Sequence, residues 1–198
     1  MNTTKYHDVS HRKKSYTKEL NLLMYASYMG YKHTVDNIIN YTNINIGDFA
    51  QKGSNAWGQP TALILATYAG HSDVAKLLIE SGESQPFVCD RDGISPLMYA
   101  VKNNMYDVAK LLLETDESIP NHRDYDIGAS ALDIAVARNN IDMIKLLLDC
   151  VKYSIEEINE ALEMYNANNI KKCLCSDDQS NKDEIIALLN SYMNIIYL

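Results

Sequence analysis

Three stretches of this chain are near copies of one another: Thr61 to Gly82 (TALILATYAGHSDVAKLLIESG), Ser95 to Glu114 (SPLMYAVKNNMYDVAKLLLE) and Ser130 to Asp149 (SALDIAVARNNIDMIKLLLD). Their starts lie 34 and 35 positions apart. A period in the low thirties leaves few folds open. Each unit has room for one supersecondary element, and such an element buries its apolar face only against its neighbours.

The residues inside each copy say what the element is. Thr61, Ser95 and Ser130 carry the hydroxyl that a helix start needs, and Pro96 suits the first helical position. Leu63, Leu97 and Leu132 are each followed three residues on by Ala66, Ala100 and Ala135, which sets a large and a small apolar group on one helical face. Gly70, and in the later copies Asn104 and Asn139, can take the left-handed conformation that ends a helix sharply. Asp73, Asp107 and Asp142 then fall where a negative charge meets the positive end of a second helix. Lys76, Lys110 and Lys145 also recur, as a solvated outer face or as binding residues.

On these motifs, TALILA, SPLMYA and SALDIA with the Gly70-His71 turn and the triplets Leu77-Leu78-Ile79, Leu111-Leu112-Leu113 and Leu146-Leu147-Leu148, the chain resembles the ankyrin-repeat family, whose signature is T-P-L-H-x-A. The resemblance implies an all-α ankyrin-repeat solenoid, stacked helix-turn-helix units joined by hairpin-like loops, with divergent capping ends. It also implies non-catalytic binding of another protein through hairpin tips and the inner face of the first helices. The family alone does not identify that partner.

The expected organisation is a basic arm or cap over 1–18 and a single repeat domain over 19–198. Units fall near 19–41, 58–82, 93–115 and 128–150, and a degenerate cap covers 154–198. Lys5, Arg12, Lys13, Lys14 and Lys18 make the arm basic, and His7 and His11 could share a helical face there. The first unit is blurred, with Leu23, Ala26, Gly30 and Ile38-Ile39 in the repeat positions. Past Ser154 a capping box with Glu157 announces a helix. There Leu162 takes the repeat Leu position and Tyr165 stands where the small Ala belongs.

A formal net charge of −8 argues against a general nucleic-acid binder. No apolar run reaches the length of a membrane span, and the first residues lack the apolar centre of a signal peptide, so a cytoplasmic protein is the default, with delivery into a host cell also open. Cys89, Cys150, Cys173 and Cys175 have no disulfide-framework spacing, and Cys173 and Cys175 form an isolated C-x-C. There is no phosphate-binding glycine loop, nucleophile elbow or His-Glu metalloprotease motif. No enzyme activity, cofactor, metal or membrane partner is expected.

The candidate partner-binding residues come from two places. At the loop tips they are Trp57, Arg91, Asp92, Ile94 and Asp126. On the inner ends of the first helices they are Tyr28, Tyr68, Lys102, Asn103 and Arg138. Aromatic and arginine side chains together are the composition of interface centres. Tyr28 and Tyr68 could instead only pack on adjacent hairpins, and Trp57 could cover the loop that carries it. Two alternatives stay open beside the binding module. One is a small-ligand sponge or enzyme with a pocket near the 41–60 loop, and the other is self-association through the C-terminal cap.

Overall fold

The computed structural model describes residues 6–7, 17–18, 22–41, 60–82, 84–115, 120–166 and 182–196. The chain divides into two compact units, Met1–Ile119 and Pro120–Leu198. Trp57, His11, Cys173 and Cys175 lie outside the described residues, as does nearly all of the 41–60 loop.

Among the described residues the first unit contains three helix pairs: α1 (Leu22–Met29) with α2 (Lys32–Tyr41), α3 (Ala62–Ala69) with α4 (Ser72–Glu80), and α5 (Pro96–Lys102) with α6 (Tyr106–Glu114). First helices pack on first helices, α1 on α3 and α3 on α5, and second helices follow, α2 on α4 and α4 on α6. Two-residue strands, β1 (Tyr6–His7) and β2 (Thr17–Lys18), pair antiparallel, with Tyr6 opposite Lys18. His7 is therefore in a strand, and His11 lies outside the described residues.

Each predicted helix start is present. The side chains of Thr61 and Ser95 accept from the amides of Ile64 and Met98, both at 3.2 Å. Each sharp stop is present too, with Gly30, Gly70, Asn104 and Asn139 all at positive φ. Ala26, Ala66 and Ala100 are fully buried, so the first helices approach closely, and Leu23, Leu63 and Leu97 are buried beside them. Burying one such leucine stabilises by about 2 kcal/mol.

Neighbouring pairs are also stapled by polar side chains at the turns. His71 Nε2 donates to the carbonyl of Tyr28 (3.0 Å), and Asn103 Nδ2 donates to the carbonyls of Thr67 (2.7 Å) and Tyr68 (3.1 Å). These carbonyls lie in the last turn of the preceding first helix, and that of Thr67 also accepts from the Gly70 amide. The His71 ring lies so close to Gly30 that a Cβ there would stand 2.6 Å from Nδ1. On the opposite side, a lysine of one second helix meets an aspartate of the next, Lys32 with Asp73 at 3.8 Å and the recurring Lys76 with Asp107 at 2.5 Å.

The second unit holds α7 (Ala131–Ala137), α8 (Ile141–Cys150), α9 (Ile155–Asn166) and α10 (Lys182–Ile196). Helix α7 packs on α8 and α9, and α10 packs on α9. Ser130 caps α7, and Ser154 with Glu157 forms the expected capping box of α9. One assignment is corrected. The buried large-small pair of α9 is Ile158 and Ala161, not Leu162 and Tyr165. The frame is shifted by one helical turn, which leaves Tyr165 near the end of α9 with its hydroxyl donating to Asn139 Oδ1 (2.7 Å). Helix α10 buries Ile185 and Leu189 and exposes Asp183, Glu184, Asn190, Ser191 and Asn194, with Ala187 and Ile195 also exposed.

Candidate functional site

In the first unit three consecutive first helices bring tyrosines together. Tyr28 of α1 and Tyr68 of α3 lie nearly parallel, with ring centroids 6.4 Å apart and planes at 18°. Tyr99 of α5 meets Tyr68 edge-on at 5.3 Å and 89°. Both geometries suit aromatic quadrupoles. Tyr99 is buried, whereas Tyr68 is 38% exposed and Met29, beside Tyr28, is 39% exposed. The inner ends of α1 and α3 thus present an aromatic and thioether surface with a buried phenol behind it. Lys102 Nζ stands 6.0 Å from the centroid of the Tyr99 ring.

Tyr99 also joins this surface to the hairpin tip that precedes α5. Its hydroxyl donates to Asp90 Oδ2 at 2.5 Å. The other carboxylate oxygen of Asp90 accepts from the amides of Ile94 (2.8 Å) and Asp92 (3.0 Å), and Gly93 turns the chain at φ +78°. Burial holds the Asp90 carboxyl above the ordinary range even though all three hydrogen bonds pull it down. Burial, and then the hydrogen bond to Asp90 and its charge, push the Tyr99 phenol up as well. Burial and the Asp90 charge push the Cys89 thiol up to about 11, which keeps it protonated at neutral pH. Arg91 and Asp92 project from this anchored tip, both exposed, and Ile94 is half-buried.

The second unit builds its tip differently. Asp124 accepts from the amides of Asp126 (2.9 Å), Ile127 (2.8 Å) and Ala129 (3.0 Å). Arg123 Nη1 donates to the Gly128 carbonyl (2.7 Å) and lies 3.4 Å from the buried carboxylate of Asp133, and its Nη2 pairs with Glu160 of α9. Burial raises the Asp133 carboxyl above its usual range, against two hydrogen bonds from Ser130 and the charge of Arg123. On the tip Tyr125 is 71% exposed, with Asp126 and Ile127 exposed beside it. Arg138 ends α7 half-buried, and its Nε has no hydrogen-bond partner among the described residues.

Tyr68 and Lys102 therefore meet Tyr99, Tyr28 stacks on Tyr68, and Arg91, Asp92 and Ile94 share the tip that Tyr99 anchors. Asn103 is engaged in stapling α5 to α3. Asp126 and Arg138 belong to the second unit. Sequence reasoning missed Tyr99, Tyr125 and Arg123. An Asp before the turn followed nine residues later by a phenol was the available signal for Tyr99. Among the described residues no group of three or more His, Cys, Asp or Glu could hold a metal ion, and no helix is long and apolar enough to cross a membrane.

Residues 23–124 and 83–161 match the family described as Ankyrin repeats (3 copies), and the two matches together cover more than half of the chain. No curated protein matches it. Capped helix pairs recurring at 34 and 35 residues, those of the first unit closely stacked through buried alanines, and matched to that description over most of their length, make this chain a member of the ankyrin-repeat family, whose repeats are generally protein-protein interaction modules.

Proposed function

We propose that this chain acts by non-catalytic binding of another protein, and that the first unit engages its partner with the inner ends of the first helices and the adjoining hairpin tip. The observation that carries this reading is the contact series Tyr28, Tyr68 and Tyr99, which leaves Tyr68 exposed on a rigid, buried support. Rigid aromatic side chains supply contact area at low entropic cost, and such anchors contribute about 2 kcal/mol or more to an interface. Arg91, Asp92, Ile94, Lys102 and Asn103 complete the proposed contact region of this unit. In the second unit Asp126 and Arg138 are the proposed contacts, and Trp57 retains that role as a proposal. Such a module would serve as an inhibitor, an adaptor or a pathogen or viral effector.

Affinity capture from the cells that make the protein, with wild type beside a Met29→Ala/Tyr68→Ala variant and a Lys145→Ala control, tests the reading. A polypeptide held by wild type and control and lost by the double variant is expected. The same proteins on all three baits would overturn it. Self-association through α10 rests on Ile195, which is 70% exposed. Its test is the solution size of the chain, expected to fall to the monomer with Ile195→Asp, whereas an equal mass for both proteins removes it.

A further inference from the structure

Charge pairing in the first unit separates its two sides. Among the Lys and Arg residues with described side chains, Lys32, Lys76 and Lys110 sit on second helices, and each has a carboxylate within 4.0 Å. Arg91 and Lys102 are the other two, and among the described residues neither forms such a pair. Both bear on one tyrosine: Lys102 lies over the Tyr99 ring, and Arg91 follows Asp90, whose carboxylate takes the Tyr99 hydroxyl. The Asp90 charge is met internally by that hydroxyl and two amides. In a chain with a net charge of −8, Lys102 at the Tyr99 ring and Arg91 on the tip that Tyr99 anchors are cations left without a carboxylate within 4.0 Å among the described residues, with Asp92 the exposed acid of the same tip.

From this we infer that the partner of the first unit's tyrosine face is an acidic polypeptide segment, whose carboxylates meet Arg91 and Lys102 while an aromatic or aliphatic side chain rests on Tyr68. The inference depends on the protein-binding reading above and narrows it to one class of partner. Lys102, half-buried against the Tyr99 ring, has less water to lose on meeting a carboxylate, and the exposed Arg91 supplies a planar guanidinium that can take one bidentately. Asp92 is exposed on the same tip and opposes such a partner, so it limits the affinity and orients the segment away from the turn.

The test uses a fluorescently labelled, glutamate-rich glutamate-tyrosine copolymer and the full chain, followed by anisotropy. Binding is expected to weaken with salt, to fall at least about tenfold in the Arg91→Glu/Lys102→Glu variant, to tighten in Asp92→Asn and to stay unchanged in Lys145→Glu. Circular dichroism of the double variant should match wild type, since Arg91 is exposed and Lys102 half-buried. The idea is overturned if the copolymer does not bind, or if the charge reversal leaves its affinity intact. Oligothymidylate binding equally well, with the same sensitivity to the two reversals, also overturns it in favour of a single-stranded nucleic acid. If the copolymer fails while Met29→Ala/Tyr68→Ala still loses a captured protein, the acidic class is wrong and the binding face stands.

Discussion

The two hairpins described in this chain hold the same kind of turn with different chemistry. In the first unit Asp90 collects two amides and the Tyr99 phenol. In the second, one residue longer, Asp124 collects three amides, and Ile134 stands in the register of Tyr99. The neighbouring positions change together. Cys89 precedes the turn acid in the first hairpin and Arg123 in the second, while Met98 and Asp133 occupy the third residue after the helix cap. Both of the latter accept from the cap amide, Met98 through Sδ at 3.4 Å from Ser95 N and Asp133 through Oδ2 at 2.7 Å from Ser130 N. The repeat thus fixes the backbone geometry and leaves the side-chain chemistry to be exchanged in pairs. A buried carboxylate comes with its guanidinium, and a buried thioether comes with a thiol.

Moving half of one pair should break that equivalence most severely. Met98→Asp in the first unit would improve the cap but bury a carboxylate with no cation supplied, and should cost about 4 kcal/mol in urea denaturation. Adding Cys89→Arg should recover at least half of that loss. If Met98→Asp alone is neutral, the cap amide outweighs burial and the paired exchange has no energetic basis.

The reverse change, Arg123→Ala in the second unit, removes three contacts at once and leaves Asp133 buried without its cation. Arg123 is 33% exposed, so solvent screens part of the effect and the expected cost is about 2 kcal/mol. Asp133 also gives this unit a pH dependence. Its folded-state carboxyl is raised, so the native protein holds the proton more tightly than the unfolded chain does. Stability therefore declines as pH rises from the ordinary carboxylate range to the raised value, and is level above it. Asp133→Asn, measured by thermal midpoint against pH, should abolish that decline. A slope unchanged by the substitution would assign it to another group.

How much of this was legible follows from what each feature depends on. The helix starts at Thr61, Ser95 and Ser130, the left-handed stops at Asn104 and Asn139 and the buried Leu-Ala pairs are local, and three copies in one register expose them without coordinates. The frame of α9 was misread by one turn because that helix has no equivalent register of cap and leucine, and burial of Ile158 and Ala161 decides it. Asn103 has the composition of a surface residue, yet it serves as a staple because the carbonyls of Thr67 and Tyr68 come within its reach. Contacts across turns depend on side-chain reach, which periodicity does not encode. Comparing the two hairpins residue by residue would nonetheless have disclosed the Cys89-Met98 and Arg123-Asp133 exchange, since both positions change character together.

A gentler change addresses the part of the first hairpin that has no equivalent in the second. Tyr99→Phe keeps the ring against Tyr68 and deletes only the hydroxyl that reaches Asp90. The expected loss is about 1 kcal/mol, together with faster hydrogen exchange at the amides of Asp92 and Ile94, whose acceptor loses its third tether. The same exchange rates in both proteins would mean that the two amides alone hold the tip, and the two hairpins would then be equivalent in effect.

The smallest effect lies on the second helices, where the units differ again. Lys76 and Asp107 bridge neighbouring pairs in the first unit, whereas among the described residues Lys145 of the second forms no ion pair. Hydrogen bonding to Lys76, followed by its charge, depresses the Asp107 carboxyl, and hydrogen bonding to Asp107 raises the Lys76 ammonium. Asp107 is well exposed, so Asp107→Asn should lower the thermal midpoint only slightly, and the difference should vanish in about 1 M salt, where the screening length is about 3 Å. A depressed carboxyl stabilises fully above its unfolded-state value and loses that contribution as pH falls through the folded one. The gap between wild type and variant should therefore be constant near neutrality and close in acid. A gap that persists at high salt and low pH would show that Asp107 contributes by something other than its charge, and the ion pair would no longer distinguish the two units.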